Sequence, residues 1–539
     1  MASAGPRSAV ARAVTICDER AVSEATQPKN EATGATKDAG RSAGRGGIAI
    51  AGAKLYFMVV GLVQQIALKH ILGLTTYGAL GRVQGLASVV YNPIIATDVQ
   101  GVSRAVSGAS ADEAAATQRR VLAIHGAAIV PFAIGFFLLA PTIAGLIEAP
   151  HLTMGLRIIA AVLLFYGLYT PFVGVLNGTK RFGAQAGLDV LAATLRTVGL
   201  LGGAWYFTQS GRGMEGALGG FAISAGLMAL VALPLAGIGR AGPGGPSVRQ
   251  HLRFIAPLFF GQVALNMLFQ SDLQLLGLFA AEAAVSAGRA AAEADTLAGA
   301  YRNAQLFCFL PYQLLLSVTF VLFPLLATAR RDRDEEAVAR YVRTGVRLAL
   351  ILAGAMVSVT AGLSEELLRL VFGADSAALG GPAMPIMAIG LGAFAIFGIL
   401  ATVLTSLTRE RASAVLTTAA LGLVVVLCFA LVRGSDYGSE MLVRTAIATG
   451  TGLLAAALIA AAVVYREAGA VVAPLTLLRV GIALGAGIAT GRALPDAHVL
   501  ATVPYALVVA LVFLVVLVVT RELGKEDVTM VAGVLGRKG

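Results

Sequence analysis

Charge is what this sequence lacks most. Asp, Glu, Lys and Arg make up 13% of its 539 residues, against roughly 25% in a soluble domain. A water-soluble protein of this size would have too little charged surface to cover itself, so that class is excluded. Cysteine is scarce too. Cys17, Cys308 and Cys428 give neither a disulfide framework nor a metal-ligand spacing. The five histidines (His70, His125, His151, His251 and His498) are scattered along the chain and are expected to form no ligand pair. Residues 1–45 are polar and lack the short apolar core of a signal peptide. They read as a disordered cytoplasmic tail.

Hydrophobic residues make up 57% of the chain, and they come in long runs. Fourteen segments are long enough, or nearly so, to cross a hydrocarbon core of about 30 Å as helices. They lie near residues 46–69, 79–102, 121–147, 153–178, 184–207, 214–239, 252–281, 298–327, 346–364, 383–407, 412–432, 442–465, 475–494 and 499–520. The expected fold is therefore an all-α polytopic membrane protein. The formal charge of +11 reflects topology, because Lys and Arg collect in cytoplasmic loops. With the N-terminus inside, the even connections and both tails hold most of the basic residues, including Arg119 and Arg120, Lys180 and Arg181, and the run from Arg330 to Arg347. That asymmetry supports an N-in, C-in arrangement. The run Gly242-Pro-Gly-Gly-Pro246 breaks the chain after six spans. The expected organisation is an N-terminal six-helix lobe (46–240), a cytoplasmic linker (241–251), a C-terminal six-helix lobe (252–465), two additional helices (466–520) and a short cytoplasmic tail (521–539). Two six-helix groups are the pattern of a transporter built from repeated halves. The 64 glycines suit close helix packing, with Gly481-xxx-Gly485 and Gly487-xxx-Gly491 as local examples.

Ionisable groups inside such spans mark function, since a charge at mid-membrane costs about 2.5–3.5 kcal/mol even on lenient scales. The first two spans are unusually polar, with Lys54, Gln64 and Gln65 in one and Arg82, Gln84, Asn92, Asp98 and Gln100 in the other. They read as cavity wall. Lys54 and Arg196 lie within spans, with no adjacent acid in sequence. For Lys54 the competing reading is snorkelling to the cytoplasmic interface. For Arg196 it is an ion pair with an acid on a neighbouring helix. Asp189 shares a helix face with Arg196 but sits about 10 Å along it. Gln84, Tyr91 and Asp98 form a seven-residue stripe that either lines the cavity or packs against a helix. Arg82 and Arg302 fall near outer helix ends, where a solvated interface position competes with a cavity role. Asn266, Gln270 and Asp272, with Gln262, supply the polar content of the second lobe. Asp98, Asp189 and Asp272 are the candidate coupling carboxylates.

The run Gly52-Ala-Lys54 through Leu72-Gly73-Leu-Thr-Thr-Tyr77-Gly78, and the helix ending Thr97-Asp98-Val-Gln-Gly101-Val-Ser-Arg104, resemble the multidrug/oligosaccharidyl-lipid/polysaccharide exporter superfamily. The Leu-Gly-x-x-x-Tyr-Gly turn resembles its polysaccharide-exporter branch, which includes O-antigen-type flippases. Leu252-Arg-Phe-Ile-Ala-Pro257 and Asn303-Ala-Gln305 through Phe323-Pro324 fit the same pattern. The resemblance covers roughly residues 46–465. It implies alternating access of two lobes, a multi-pass location in the cytoplasmic (inner) membrane, and a role in lipopolysaccharide-type polysaccharide biosynthesis. The implied partner is a polyprenyl-diphosphate-linked glycan, alongside polysaccharide-assembly proteins and not nucleic acid. No cofactor is implied beyond a coupling ion, H+ or Na+. On this reading the cavity cations are Lys54, Arg196, Arg82 and Arg302. Two other functions compete. A cation-coupled multidrug antiporter of the same fold would favour an acid-dominated cavity. A membrane glycan polymerase or ligase would need a large outer loop with catalytic groups, and no nucleophile–base pair is visible, so an enzyme is not expected.

Overall fold

The chain, as a computed structural model, is described over residues 29–495 and 498–524. The expected tails fall largely outside this range, at residues 1–28 and 525–539. Among the described residues every regular element is helical. The N-terminal half comprises α1 (Lys29–Leu72), α2 (Leu74–Ser107), α3 (Ala114–Leu146), α4 (Thr153–Gly178), α5 (Phe182–Thr208) and α6 (Gly213–Ala236). The second half comprises α7 (Val248–Ser286), α8 (Ala294–Cys308), α9 (Leu310–Arg331), α10 (Glu335–Gly362), α11 (Ser364–Phe372), α12 (Ala374–Gly380), α13 (Met384–Ser406), α14 (Glu410–Leu431) and α15 (Ser439–Ala468). α16 (Pro474–Ala493) and α17 (Thr502–Val519) follow.

Among the described residues twelve helices are long and apolar enough to cross a membrane, with a thirteenth if a bent pair counts as one span. α2 is not among them. Its 34 residues are more than long enough at about 1.5 Å each, but Arg82, Asp98 and Arg104 lower its hydropathy. The expected span 298–327 is divided: α8 ends at Cys308, Pro311 opens α9, and the chain bends by 41° between Thr319 and Leu322, just before Pro324. Proline lacks the N–H for the helical ladder and its ring crowds the preceding turn. α1 begins at Lys29, so residues 29–45, read from composition as disordered, continue the first membrane helix. Extending an existing helix adds one bond per residue without a new nucleus. The turn between α1 and α2 is a single residue: Gly73 takes φ 74°, a conformation open to glycine without a Cβ clash.

Two main apolar cores form. One is built from buried residues between Leu68 and Ala222, the other between Leu268 and Val464. α2 spans the boundary, packing on α4 on one side and on α7 and α8 on the other. Gly78 makes the closest approach, since a Cβ there would lie 1.7 Å from the Asp295 carbonyl oxygen. The linker is strapped to α3: Gln118 donates to the Ala236 and Gly237 carbonyls at 3.0 and 2.8 Å, and Arg120 to that of Gly244 at 3.0 Å. On the face expected to lie outside, Lys69 donates to the Phe372 carbonyl and His70 contacts that of Val371 at 2.9 Å. α11 thereby covers the end of α1.

The last two helices pack on α10. Gly487 and Gly491 sit where a Cβ would lie 2.8 Å from Ser358 Cβ and 2.7 Å from the Gly362 backbone, respectively. Gly481 and Gly485 face nothing within 4 Å, so of the two small-residue repeats only the second packs helices. At the other end, Glu522 accepts from Arg347 at 2.8 Å, Arg479 at 3.2 Å and Thr476 at 3.0 Å. Burial raises the Glu522 carboxyl, and these hydrogen bonds outweigh it, leaving its pKa below the ordinary 4.5.

Two outcomes are expected. Gly491→Val should destabilise the purified protein by about 1–3 kcal/mol, the usual cost of overpacking, whereas Gly481→Val should leave thermal unfolding unchanged. A depressed folded pKa lends stability that is present above the unfolded value and lost as pH falls through the folded one. Acidification below about pH 4.5 should therefore loosen α16–α17 in the wild type, and Glu522→Gln should remove that pH-dependent component. Hydrogen exchange of α17 reads both.

Candidate functional site

Between the two cores lies a cavity of about 330 Å³. α1 contributes Gln65, α2 contributes Gln84, Ser88, Tyr91 and Asn92, α5 Arg196, and α6 Phe221. From the second half come Asn266, Phe269 and Gln270 of α7, Arg302 of α8, and Phe309, Tyr312 and Gln313 where α8 meets α9. Each half thus supplies one arginine to a wall of amides, hydroxyls and rings. Among the described residues no carboxylate lines it.

Arg196 and Arg302 are held without acids. Arg196 Nε reaches Gln64 Oε1 at 3.4 Å, and its guanidinium lies 4.9 Å from the Phe57 ring and 5.7 Å from that of Phe221. Aromatic faces attract such cations. Arg302 Nη2 approaches Gln84 Oε1 at 3.5 Å, while its Nε is buried with no hydrogen-bond partner. That nitrogen packs against Gly81, whose missing Cβ would lie 3.3 Å from it. Asn92 donates to Asn266 across the cavity floor at 2.8 Å.

Other sequence-derived candidates lie elsewhere. Arg82 does not face the cavity or solvent. It is fully buried, donating to Asp295 at 2.9 Å and to the Ile147 carbonyl at 2.9 Å, and His151 contacts the other Asp295 oxygen at 2.6 Å. The helix ends expected to face outward meet in this cluster. Lys54 has an acid partner after all, Asp189 at 3.2 Å, and its side chain is 62% exposed on the groove between α1 and α5. Helix packing brings together two residues that sequence separation kept apart. The seven-residue stripe on α2 divides. Gln84 and Tyr91 reach the cavity, whereas Asp98, beyond Pro93 on the same helix, meets α3 and α4. There it accepts from Thr170 at 2.6 Å and contacts His125 Nδ1 at 2.7 Å. Asp272 sits two residues, about 200°, from Gln270 and so faces the second core. It accepts from Leu273 N, Tyr301, Gln305 and Thr449. All three candidate coupling carboxylates are therefore engaged, and none lines the cavity.

The histidines are not all scattered. His125 and His251 approach Nε2 to Nε2 at 2.9 Å, although 126 positions apart. No sequence signal marks that pair. Nor does one mark Asp295, which reads as an outer-loop acid, or Gln313 and Tyr312, whose approach to the cavity depends on the break at Phe309.

A helical bundle with two cores and a polar chamber between them is a membrane transporter fold. Residues 43–330 match the family described as polysaccharide biosynthesis protein, and the chain belongs to that family. Comparison with curated protein sequences gives no match. In fold the chain is similar to the lipid II flippase MurJ in an inward closed conformation, with TM-score 0.70 and 14% identity over 88% of this chain and 99% of that one. It is also similar to an inward-facing multidrug resistance MATE family transporter of the MOP superfamily, with TM-score 0.63 and 14% identity over 78% and 98% of the two chains. A third is a MOP superfamily transporter from Pyrococcus furiosus described by the reverse polarity of its binding pocket, with TM-score 0.56 and 15% identity over 78% and 95%. The MOP transporter fold is thus the class, as the resemblance in sequence implied.

Removing one partner of a buried ion pair costs about 3–5 kcal/mol, because the other charge is left buried and unpaired. Arg82→Ala and Asp295→Ala should each destabilise the closed outer end by about that amount, and a cysteine placed at Ser88 should become reactive to an impermeant maleimide. Replacing both residues together by apolar side chains of similar volume should recover stability relative to either single variant.

Proposed function

We propose that this protein is a flippase that moves a polyprenyl-diphosphate-linked oligosaccharide across the cytoplasmic membrane by alternating access of its two halves. It would act in the assembly of a surface polysaccharide of the lipopolysaccharide type. One observation carries the reading: Arg196 and Arg302, one from each half, face a single cavity whose described wall holds no carboxylate. Such a wall is a site for an anion. A guanidinium grips phosphate oxygens through its planar fork, and one grip from each half draws the halves onto the cargo. Gln65, Gln84, Asn92, Asn266, Gln270 and Gln313 then offer donors and acceptors to sugar hydroxyls, and Tyr91, Phe221 and Tyr312 offer apolar faces. The antiporter reading asks for acids in the cavity, and all three candidate acids are engaged outside it. On the flippase reading, Lys54 and Arg82 serve the scaffold and Arg196 and Arg302 serve the cargo.

Reconstitution in proteoliposomes tests this. A labelled polyprenyl-diphosphate oligosaccharide is followed by its accessibility to an enzyme added outside. A charge-assisted hydrogen bond is worth about 1.5–3 kcal/mol, so Arg196→Ala and Arg302→Ala should each slow translocation by about 10- to 100-fold at matched protein levels. Lys54→Ala should retain activity near wild type. Translocation that survives both arginine changes would remove the site. Absence of translocation together with gradient-driven efflux of an organic cation would favour the antiporter.

A further inference from the structure

Toward the loops expected to face the cytoplasm, three titratable groups on three helices form a chain of contacts. Asp98 of α2 contacts His125 Nδ1 of α3 at 2.7 Å, and His125 Nε2 meets His251 Nε2 of α7 at 2.9 Å. All three side chains are buried. The two rings belong to opposite halves. α2 and α7 also touch here, where Gly101 leaves room for Ile255 and His251, and the Arg104 guanidinium lies 4.0 Å over the Phe254 ring. Beside the pair is a second chamber of about 470 Å³, lined by Arg104, Glu113, Thr117, Gly244, Gln250 and His251 among others. It lies among the loops expected to face the cytoplasm.

The protonation chemistry follows from the contacts. Asp98, already accepting from Thr170, fixes the His125 proton on Nδ1, so His125 Nε2 presents a lone pair. His251 Nε2–H donates to it. A first added proton goes to His251 Nδ1. The bond between the rings survives, and the positive charge is balanced by Asp98. Of the two rings, only His125 Nε2 is left for a second proton, which puts a hydrogen on both facing nitrogens. The bond is then lost and two imidazolium ions confront each other across the interface. The other charges near the pair do not relieve this. Arg104 of α2 and Arg120 of α3 are positive, and Glu113 lies across the chamber. The only charged residue of α4, Arg157, lies at its opposite end. The halves can escape the repulsion only by separating.

We propose that His125 and His251 form a proton-operated latch, in which uptake of a second proton from the cytoplasmic chamber releases α7 from α3 and opens the cavity inward. Histidine is suited to this because a neutral ring offers one donor and one acceptor nitrogen, whereas the protonated ring offers two donors. The latch acts where neither Arg196 nor Arg302 is involved. Its purpose rests on the transport reading, but its opening can be measured without cargo, so the two ideas fail separately.

The test uses the full chain in proteoliposomes, with spin labels at Ser107→Cys and Arg249→Cys in a Cys17→Ser background. These positions are exposed ends of α2 and α7. Pulsed electron paramagnetic resonance follows their separation from about pH 8 to about pH 4, since burial moves titrations away from their ordinary range. The population at longer distance should rise about tenfold on acidification. His125→Gln and His251→Gln should each abolish the rise, since a single remaining imidazole cannot be repelled by its partner. Glu113→Gln should retain it. Histidine ring 15N shifts of the unsubstituted protein supply a reading that needs no variant, because the longer distance must appear together with the doubly protonated pair. A separation independent of pH, a rise that survives either histidine substitution, or a rise while the pair still holds a single added proton would each overturn the latch.

Discussion

A membrane offers no water to a stray charge, and the arrangement of this protein turns on where α2 puts its polar groups. α2 carries Arg82, Gln84, Asn92, Asp98 and Arg104 along one rod. Each finds a partner or a chamber only because α2 lies between the two halves. Arg82 reaches Asp295 at one end of the bundle, Gln84 and Asn92 face the cavity, and Asp98 contacts His125 toward the other end. Facing lipid, the same residues would cost several kcal/mol each. The seam between the halves is where that cost is offset, so the polar helix, the cavity and the contacts at both ends occupy one line.

The seam is built differently from the cores it separates. Within each half, packing is apolar and continuous. Across the seam a few apolar contacts such as Phe259 and Leu74 are joined by glycines and polar pairs: Gly78 against the Asp295 backbone, Asn92 with Asn266, Arg82 with Asp295, His125 with His251. Dense apolar packing resists sliding. Polar contacts can be exchanged for water or cargo at much smaller net cost, because each broken bond is remade with another partner. Two rigid bodies joined by an exchangeable seam are what rocking about a central site requires. α16 and α17 stand outside this design, fastened to α10 by Gly487, Gly491 and the Glu522 network.

Much of this architecture is legible in the sequence. The low charge and the long apolar runs define a polytopic helical protein, and Arg196, Arg302, Gln84, Asn266 and Gln270, all named from sequence as candidate polar groups, line one cavity. Their gathering around one chamber follows from helix geometry once α2 and α7 are laid side by side, since Asn266 and Gln270 are four residues apart and share a face. The readings that changed are those that depend on contacts between distant segments. Lys54 looked unpaired because Asp189 is 135 positions away. Arg82 looked solvated because its partners come from α8 and from the turn after α3. The histidines looked scattered because two of them meet only when α3 and α7 do.

Composition and hydrophobic periodicity are local quantities, and a bilayer acts on them directly, residue by residue. Sequence alone therefore determined the class of this protein and the rough position of most of its apolar helices. Which of its polar groups neutralise one another and which remain free to meet a ligand depends on distances of about 3 Å between helices far apart in the chain. Only the tertiary structure decided that Arg82 and Lys54 are paired, that Arg196 and Arg302 face a common cavity, and that Asp98, His125 and His251 meet.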